Sequence, residues 1–431
     1  MRTNLALITL SAICSIASLV SSCTPLSSEQ IDTLAVAKSS LPQKQEPPKP
    51  EPYYVPSGPP NPGSLQLLPT PSPMGCCASP QLGLDQQLWG LWNQAGDREN
   101  LIQAIDNSLR YLNSQRAVKD YQRYQKKIPA ISLNRVRASL RRFRQLVIES
   151  QSAAQLQAAV QREFVFYQSV GSDGWGNVLF SAYYEPIYEA SRVQTPEYRY
   201  PIYRIPPNLD NWSLPHPTRK QLEGEDGLQA PQSRLAGLEL FWLKDRWQAY
   251  QIHIQGSAKL RLPDGRLTSV NYAGNTRRNY VSIGWELSQD GKIELEKVTM
   301  PAIREYFRQH PEEENDYMSR DNSFVFFKES GGKPAQGSIS VPLTAERSIA
   351  TDKSLMPPGA LALIDTSIPT FNNAGELKSL PISRYVLDQD AGGAIKTPGR
   401  VDYFLGTGDE PEQRAGVTRS YGQLYYLLLK E

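Results

Sequence analysis

Apolar positions in the first half of the chain recur at helical spacing, from about residue 84 to residue 170. Each stripe contains four large apolar residues that lie three or four positions apart: Ile102, Ile105, Leu109 and Leu112; Val136, Leu140, Phe143 and Val147; and Leu156, Val160, Phe164 and Tyr167. Such spacing places the apolar side chains on one face of a helix. The pattern therefore predicts three amphipathic helices.

Beyond Gly176 the apolar runs become short and rich in β-branched and aromatic residues, with Pro, Gly, Asn and Asp between them. These runs predict strands: NVLFSAYYEP, YRYPIYRIP, LELFWLKDRWQAYQIHIQGSAKLRL, LTSVNYAGNT, SFVFFKE, ALALID, SRYVLDQD, RVDYFLG and GQLYYLLLK. One helix, MPAIREYFRQH, interrupts them. Strands and helices do not alternate regularly, which disfavours a doubly wound α/β fold and favours barrels.

The first residues predict export and a lipid anchor. An apolar stretch runs from about Leu5 to Val20 and ends in Ser21-Ser22-Cys23. A run this short, with small residues before the cut, indicates a signal peptide rather than a membrane span. Its end resembles a bacterial lipobox, so we expect residues 1–22 to be a lipoprotein signal and Cys23 to be lipidated. An ordinary signal peptide with an incidental cysteine is the alternative.

A proline-rich segment follows the expected anchor. The chain has 431 residues and 34 prolines, and residues 40–75 are rich in proline and lack apolar periodicity. Such a composition favours extended polyproline II and cannot form a core. We therefore interpret residues 23–79 as an anchor and tether. Cys76 and Cys77 lie at its end, and no function is assigned to them.

Composition excludes several classes of function. The formal net charge is only +2, which gives no support for a nucleic-acid partner. Three histidines and four cysteines lack the spacing of metal ligands, so neither a metal nor another cofactor is expected. The sequence also lacks a G-x-S-x-G elbow, a Walker A loop and an H-E-x-x-H motif. Carboxylates are the remaining candidates for catalysis.

Two aspartates near the C-terminus stand out, in DQDAGGAIKTPGRVDYF. Asp402 lies between Val401 and Tyr403-Phe404, whereas Asp390 precedes a glycine-rich loop. A carboxyl that is to donate a proton near neutral pH needs a desolvated site or a neighbouring negative charge. The apolar run around Asp402 suits the first requirement, and Asp390 suits the second if the loop folds back. Ordinary turn chemistry is the alternative.

These residues resemble a known family. Residues 390–396 and 400–403 are similar to the signature of the C-terminal "three-aspartate" domain, and Asp352 in SIATDKSLMPPGA matches its third aspartate. A longer ordered series resembles the membrane-bound lytic transglycosylase A family: SAYYEPIYEASR, YPIYRIPP, HIQGSAKLRLPDG, NYAGNTRRNYVSIG, NSFVFFKES, VPLTAERSIATD and FLGTGDEPEQRAG. The resemblance covers about residues 170–431. The loop between Asp390 and Asp402 carries one residue more than the family pattern.

The resemblance implies a mainly β (α+β) fold, in which a double-psi β-barrel carries an inserted second β domain and is preceded by helices. We expect residues 80–190 to contain the helices and the first part of the barrel. Residues 191–335 would form the inserted domain, and residues 336–431 the rest of the barrel. A groove between the two domains would hold a glycan strand.

The resemblance also implies an activity. Such enzymes cleave the β-1,4 bond between N-acetylmuramic acid and N-acetylglucosamine in peptidoglycan and leave 1,6-anhydro ends. Asp402 matches the catalytic aspartate, which serves as acid and then as base, and Asp390 and Asp352 match its two companions. The expected substrate contacts are Tyr183, Tyr184, Glu185, Gln255, Gly256, Ser257, Asn275 and Lys396. Strand packing, turn formation or simple solvation are the alternatives for several of these residues.

Two other functions stay open at this point. A peptidoglycan-binding or scaffolding lipoprotein could keep the barrel without turnover, and a hydrolytic muramidase could use Asp402 and Asp390 with water. The expected partners are peptidoglycan glycan strands and, through Cys23, a membrane; proteins of cell-wall synthesis or division are further candidates. Thr24 after Cys23 is not acidic, which favours the outer membrane, at its periplasmic face, over the inner one.

Overall fold

The computed structural model describes residues 81–90, 95–126, 128–129, 131–372 and 374–431, together with the backbone of Leu68–Pro69. The predicted signal peptide, Cys23, the proline-rich tether and Cys76-Cys77 lie outside the described residues, apart from that dipeptide. None of the described helices is long and apolar enough to cross a membrane.

The α-helices of the described residues form two groups, one before the first long strand and one within the second half of the chain. They are α1 (Arg98–Leu112), α2 (Gln115–Gln125), α3 (Leu133–Glu149), α4 (Ala153–Glu163), α5 (Arg219–Glu223), α6 (Arg246–Gln255), α7 (Ile283–Gln289), α8 (Met300–Gln309), α9 (Pro311–Arg320) and α10 (Asp409–Ala415).

The strands belong to two sheets. They are β1 (Leu68–Pro69), β2 (Phe164–Gln168), β3 (Val178–Glu185), β4 (Ile187–Ser191), β5 (Tyr200–Tyr203), β6 (Glu239–Leu243), β7 (Ser257–Arg261), β8 (Leu267–Asn275), β9 (Val325–Glu329), β10 (Ser348–Ala350), β11 (Leu361–Phe371), β12 (Leu377–Asp390), β13 (Arg400–Thr407) and β14 (Ser420–Leu429).

Six strands of the first sheet close into a barrel. Their order is β3-β14-β11-β12-β10-β13, and β13 returns to β3. The β3–β13 and β10–β12 pairs are parallel, and the others are antiparallel. Alternate residues of these strands, such as Val401 and Tyr403, are fully buried in one large core that also receives the apolar faces of α1 and α3. The first two predicted helices are thereby confirmed.

The third helical stripe was only partly right. Helix α4 ends at Glu163, and Phe164 and Tyr167 belong to β2, which pairs with β14. The segment FVFYQ has high strand propensity, and the open edge of β14 offers it a full set of backbone hydrogen bonds. Tertiary pairing therefore overrides the helical spacing at this point.

The second sheet has the order β5-β6-β4-β7-β8-β9. The chain enters it from β3 through Pro186, and the backbone N–H of Lys259 donates to the Pro186 carbonyl at 2.8 Å. Helices α5 to α9 are interspersed with these strands, and α7, α8 and α9 share an apolar cluster with Trp247 and Tyr250 of α6.

The run DRWQAYQIHIQ forms helix α6, so its prediction as a strand is wrong. Asp245 caps the first turn by accepting from the backbone N–H of Gln248 at 2.8 Å. Gly256 ends the helix in the left-handed region, with φ 77°. These caps are sequence signals for a helix that the dense apolar run obscured.

Candidate active site

The short strand β10 places the two C-terminal aspartates on either side of one alanine. Ala350 pairs with Asp390 of β12 on one side and with Asp402 of β13 on the other. Register partners point to the same face of a sheet, so both carboxyl groups flank the Ala350 methyl group. Two strand spacings separate their Cα atoms by about 10 Å. The sheet thus places the two acids on one face, although a turn-rich loop separates them in the sequence.

Asp402 is partly exposed and has one hydrogen-bond donor among the described residues. Ser181 Oγ of β3 donates to Asp402 Oδ1 at 2.8 Å, and Arg400 Nη2 donates to Ser181 Oγ at 3.1 Å. Burial raises the pKa of the Asp402 carboxyl to about 6. Arg400 and the Ser181 hydrogen bond act to lower this pKa, whereas the charge of Asp390 acts to raise it. The carboxyl therefore keeps a proton well above the usual range for Asp.

The side chains that flank Asp402 in the sequence do not share its face of the sheet. Val401 and Tyr403 point into the barrel core, because side chains alternate along β13. A separate small cluster covers the face of the acids, made of Tyr183, Ala335, Leu343, Ala350 and Phe404. The expectation that the whole apolar run encloses Asp402 is therefore corrected: of those neighbours, only Phe404 shares its face.

Asp390 is held by three donors. Its Oδ1 accepts from the backbone N–H groups of Ser338 at 2.7 Å and Ala391 at 2.8 Å, and its Oδ2 accepts from Tyr183 Oη at 2.8 Å. Burial raises the pKa of the Asp390 carboxyl, while these donors act in the opposite direction. Both oxygens are thus committed to the framework, and Tyr183 joins β3 to the end of β12.

Asp352 fixes the turn after β10. Its Oδ1 accepts from the backbone N–H and the hydroxyl of Ser354, at 3.0 and 2.7 Å, and its Oδ2 accepts from the Thr397 N–H at 3.3 Å. Thr397 belongs to the loop that joins Asp390 to Asp402. Neither Asp352 nor Asp390 hydrogen-bonds to Asp402 among the described contacts, so both would act on it through position or charge.

A buried ion pair behind the site was missed by the sequence reasoning. Asp388 is fully buried and accepts from Lys353 Nζ, from Thr351 Oγ1 at 2.8 Å and from Tyr426 Oη at 2.7 Å. Lys353 also donates to the backbone carbonyl of Asp390. The lysine that follows Asp352 and the second acid in the DQD run were the available signals.

Three of the predicted contact residues lie where the two sheets meet. Gln255 Oε1 accepts from the backbone N–H of Tyr184 at 3.1 Å. Tyr184 and Glu185 are buried, with 3% and 1% of their surfaces exposed, and Thr407 Oγ1 donates to Glu185 Oε2 at 2.8 Å. Direct contact of Tyr184 or Glu185 with a sugar stays a prediction, whereas Tyr184 links β3 to Gln255 at the end of α6 and Glu185 links β3 to β13 of the same sheet.

The remaining predicted contacts are dispersed. Gly256 is the C-cap of α6, and Ser257 begins β7 opposite Asn271. Asn275 is used locally, since its Nδ2 donates to Tyr272 Oη at 2.8 Å and its Oδ1 accepts from the Arg277 N–H at 2.7 Å. Lys396 is exposed on the loop between the two acids. Their roles in binding stay predictions.

Within the described ranges, one group of side chains has the spacing of metal ligands. His310, Glu312 and Glu313 offer ligand atoms within 4.8 Å of one another at the start of α9. These groups do not include any of the three predicted aspartates, and such acidic groups are common on protein surfaces without an ion.

Comparison with known proteins identifies the family. Residues 179–328 match the MltA specific insert domain, and residues 347–428 match the 3D domain. Membrane-bound lytic murein transglycosylase A of Escherichia coli strain K12 is 33% identical over 263 residues, which cover 61% of this chain and 68% of that protein.

Two solved structures share the fold. The crystal structure of E. coli MltA with bound chitohexaose has a TM-score of 0.60 and 26% identity, and the match covers 85% of this chain and 96% of that one. A membrane-bound lytic murein transglycosylase from Agrobacterium tumefaciens has a TM-score of 0.56 and 27% identity, over 69% and 85% of the two chains. Together with the closed six-stranded barrel, this likeness confirms the predicted double-psi fold with an inserted domain. The chain belongs to the membrane-bound lytic murein transglycosylase A family.

Proposed function

We propose that this protein cleaves the β-1,4 bond between N-acetylmuramic acid and N-acetylglucosamine in peptidoglycan, with Asp402 as its acid and base. The observation that carries the proposal is the state of Asp402. It is a partly exposed carboxyl whose pKa is raised to about 6, on a sheet face shared with Asp390. The family to which the chain belongs supplies the substrate class.

In the first step the protonated Asp402 donates its proton to the glycosidic oxygen. The bond between that oxygen and the anomeric carbon of the muramyl residue breaks, and the electron pair leaves with the oxygen. Positive charge develops on the muramyl ring, and Asp402 becomes a carboxylate. Its Oδ1 already accepts the Ser181 hydrogen bond, which stabilises the charged form that the step produces.

In the second step the C6 hydroxyl of the same muramyl residue attacks the anomeric carbon. The hydroxyl proton passes to the Asp402 carboxylate, which regenerates the acid, and the product carries a 1,6-anhydro ring. No water is consumed. Because nucleophile and electrophile belong to one sugar, the attack gains from proximity without the ordering of a second molecule.

The arrangement of Asp390 argues against a hydrolytic muramidase. Hydrolases use a second carboxylate as nucleophile or as base toward water. Both oxygens of Asp390 accept hydrogen bonds from Ser338, Ala391 and Tyr183, so these donors use three of about four acceptor sites and leave about one for the activation of water. A binding protein without turnover would not require the raised pKa of Asp402, so that alternative is also less well supported.

The companions of Asp402 act as positioning residues in this proposal. Asp390 raises the pKa of Asp402 through its charge, and Asp352 holds the loop that ends at Asp402 through Thr397. The glycan would lie in a groove between the barrel and the domain of residues 191–335. Gln255, Gly256, Ser257 and Asn275 would border it from the second sheet, and Lys396 would border it from the loop.

The localisation follows from the sequence and the family. Its relatives are named membrane-bound, which supports a location in the cell envelope. We further propose that residues 1–22 are removed, that Cys23 carries lipid at the periplasmic face of the outer membrane, and that residues up to 79 form the tether. Labelling of the expressed full chain with radioactive palmitate tests this, and a Cys23→Ala chain should take up none.

Mass spectrometry of digested sacculi tests the proposed reaction. We expect muropeptides with 1,6-anhydromuramic ends and no new reducing ends. Digestion in ¹⁸O-labelled water should leave the new ends unlabelled, because water is not a reactant. New reducing ends that carry the label would establish hydrolysis instead, and absence of soluble products would favour a binding protein.

Replacement of Ser181 by alanine should shift the pH dependence of cleavage. The Ser181 hydroxyl lowers the pKa of Asp402 by donating to its carboxylate. Without it, the pKa should rise, so the decline of activity should begin at higher pH, and kcat should fall by up to about tenfold because the carboxyl is less well oriented. Ser181→Thr keeps a hydroxyl and serves as the control; an unchanged pH profile for Ser181→Ala would contradict this role.

A further inference from the structure

A surface pocket beside the second sheet contains two arginines that have no carboxylate partner in the part of the chain that the structure describes. The pocket has a volume of about 500 Å³. Its polar and apolar lining includes Ser213, Pro215, Gln221, Leu222, Arg234 and Arg278. No carboxylate is among the lining residues, so the pocket has a net positive charge.

Both arginines are partly fixed by other contacts. Arg278 Nε donates to the backbone carbonyl of His216, which orients the guanidinium without neutralising it. Arg234 Cζ lies 5.2 Å from the centre of the Trp212 ring. Neither arginine forms an ion pair with any described residue, although the neighbouring Arg277 pairs with Asp210. Two oriented guanidinium groups of this kind match the geometry of carboxylates.

The rest of the lining suits a peptide. Gln221 Oε1 accepts from the backbone N–H of Thr218 at 2.9 Å. The oxygen of this side-chain amide is therefore used within the protein, and its N–H groups can donate to other acceptors. Pro215 and Leu222 supply apolar surface for aliphatic side chains. A ligand with carboxylates, amide carbonyls and short aliphatic groups would satisfy all three features.

Residues 278–280 connect one wall of the pocket to the loop between the two aspartates. Arg278 precedes Tyr280 by two residues, so their Cα atoms are within about 7 Å. A Cβ atom placed on Gly393, in the loop between Asp390 and Asp402, would lie 3.8 Å from Tyr280 Cβ. An extended peptide of four or five residues spans about 14 to 18 Å. To reach the pocket, such a peptide, attached to a sugar at Asp402, would extend past the loop of Gly393 toward Arg278.

We propose that this pocket binds the peptide stems of peptidoglycan, with Arg234 and Arg278 paired to stem carboxylates. The inference rests on the proposed function, since it takes the glycan at Asp402 as the point from which the stem extends. The pocket would then favour strands that still carry their peptides over strands from which the peptides have been removed.

Cleavage kinetics on two substrates test the pocket. Sacculi with intact stems are compared with the same sacculi after an amidase has removed the stems. For the double variant Arg234→Gln/Arg278→Gln, KM on intact sacculi should rise about tenfold while kcat stays unchanged. Its KM on stem-free glycan should not change. The matched control is Arg266→Gln, an exposed arginine in the turn between β7 and β8 that pairs with Asp264.

Binding of a free stem tetrapeptide separates this proposal from the function on which it rests. The titration uses the full chain with Asp402→Asn, so it does not depend on turnover. We expect saturable binding that the double variant loses and that inorganic phosphate at equal concentration does not displace. If the chain cleaves glycan and neither removal of the stems nor the double arginine variant changes KM, the proposed role of the pocket is overturned and the proposed function stands. If the tetrapeptide binds but the unmodified chain does not cleave peptidoglycan, the proposed function is overturned and the assignment of the pocket stands. Equal binding of phosphate would overturn the assignment to stems.

Discussion

The variant Asp402→Asn should lose turnover by about 10²- to 10⁴-fold or more, since one residue serves both proton transfers. The amide cannot donate a full proton to the leaving oxygen, and it cannot take one from the C6 hydroxyl. Its oxygen can still accept from Ser181, which donates to Asp402 Oδ1 at 2.8 Å. Folding and glycan binding should therefore persist. Release of anhydromuropeptides, a thermal melt and sedimentation with sacculi measure the three properties.

The change in melting temperature caused by Asp402→Asn has an expected direction. The pKa of Asp402 in the folded chain, about 6, lies above that of an unfolded Asp. Its contribution to stability is therefore fully present below the unfolded pKa and is lost as pH rises through 6. At pH 8 the partly desolvated charge of Asp402 is a cost that asparagine removes, so the variant should melt at an equal or higher temperature. The matched control is Asp365→Asn on β11, another strand carboxyl whose pKa burial raises. Near-normal turnover of Asp402→Asn would refute the catalytic assignment.

The variant Lys353→Met should destabilise the barrel by about 3 to 5 kcal/mol at pH 7. The side chain of Asp388 is 0% exposed and that of Lys353 is 17% exposed, so the variant leaves a buried carboxyl without its cation. The Thr351 and Tyr426 hydroxyls would remain as partners of the carboxylate. Loss of the bond from Lys353 to the Asp390 carbonyl should also lower activity. Chemical denaturation monitored by circular dichroism measures the free energy of unfolding.

The loss caused by Lys353→Met should depend on pH. Burial already raises the pKa of Asp388 in the folded chain, and Lys353 opposes that rise. Without the lysine the pKa should rise further, so the deficit should be small at low pH, where the carboxyl is neutral, and grow as pH increases. Adding Asp388→Asn should restore much of the stability, since it removes the charge. Lys378→Met, at an exposed pair with Glu376, is the control and should change little. An equal deficit at all pH values would argue against a buried charge as the cause.

The sequence was most informative where one strand carried its own signals. The short apolar run in RVDYFLG predicted β13 and placed Asp402 within it. The order of the motifs predicted the barrel and the family. The direction of each side chain was harder to obtain, because it depends on which face of β13 meets the core. Val401 and Tyr403 flank Asp402 in the sequence but lie on the opposite side of the sheet.

Contacts between distant segments could not be deduced from local patterns. Ser181 meets Asp402 across 221 positions of sequence, through the parallel pairing of β3 with β13. Nothing near Ser181 indicates that register. The same holds for Lys353 and Asp388, which are 35 positions apart and meet only when β10 lies beside β12. Long-range strand pairing therefore determines the electrostatics of the site, while the sequence identifies the acid.

Titration of the Asp402 side chain tests the central claim most directly, because the proposed chemistry needs a carboxyl that holds its proton near neutral pH. The ¹³C resonance of its carboxyl carbon would be followed with pH in the unmodified chain and in Asp390→Asn. The account predicts a midpoint near 6, a lower midpoint in Asp390→Asn because a like charge is removed, and cleavage that declines above the same pH. A midpoint in the usual range for Asp, about 4, with cleavage unchanged between pH 4 and pH 8, would contradict it.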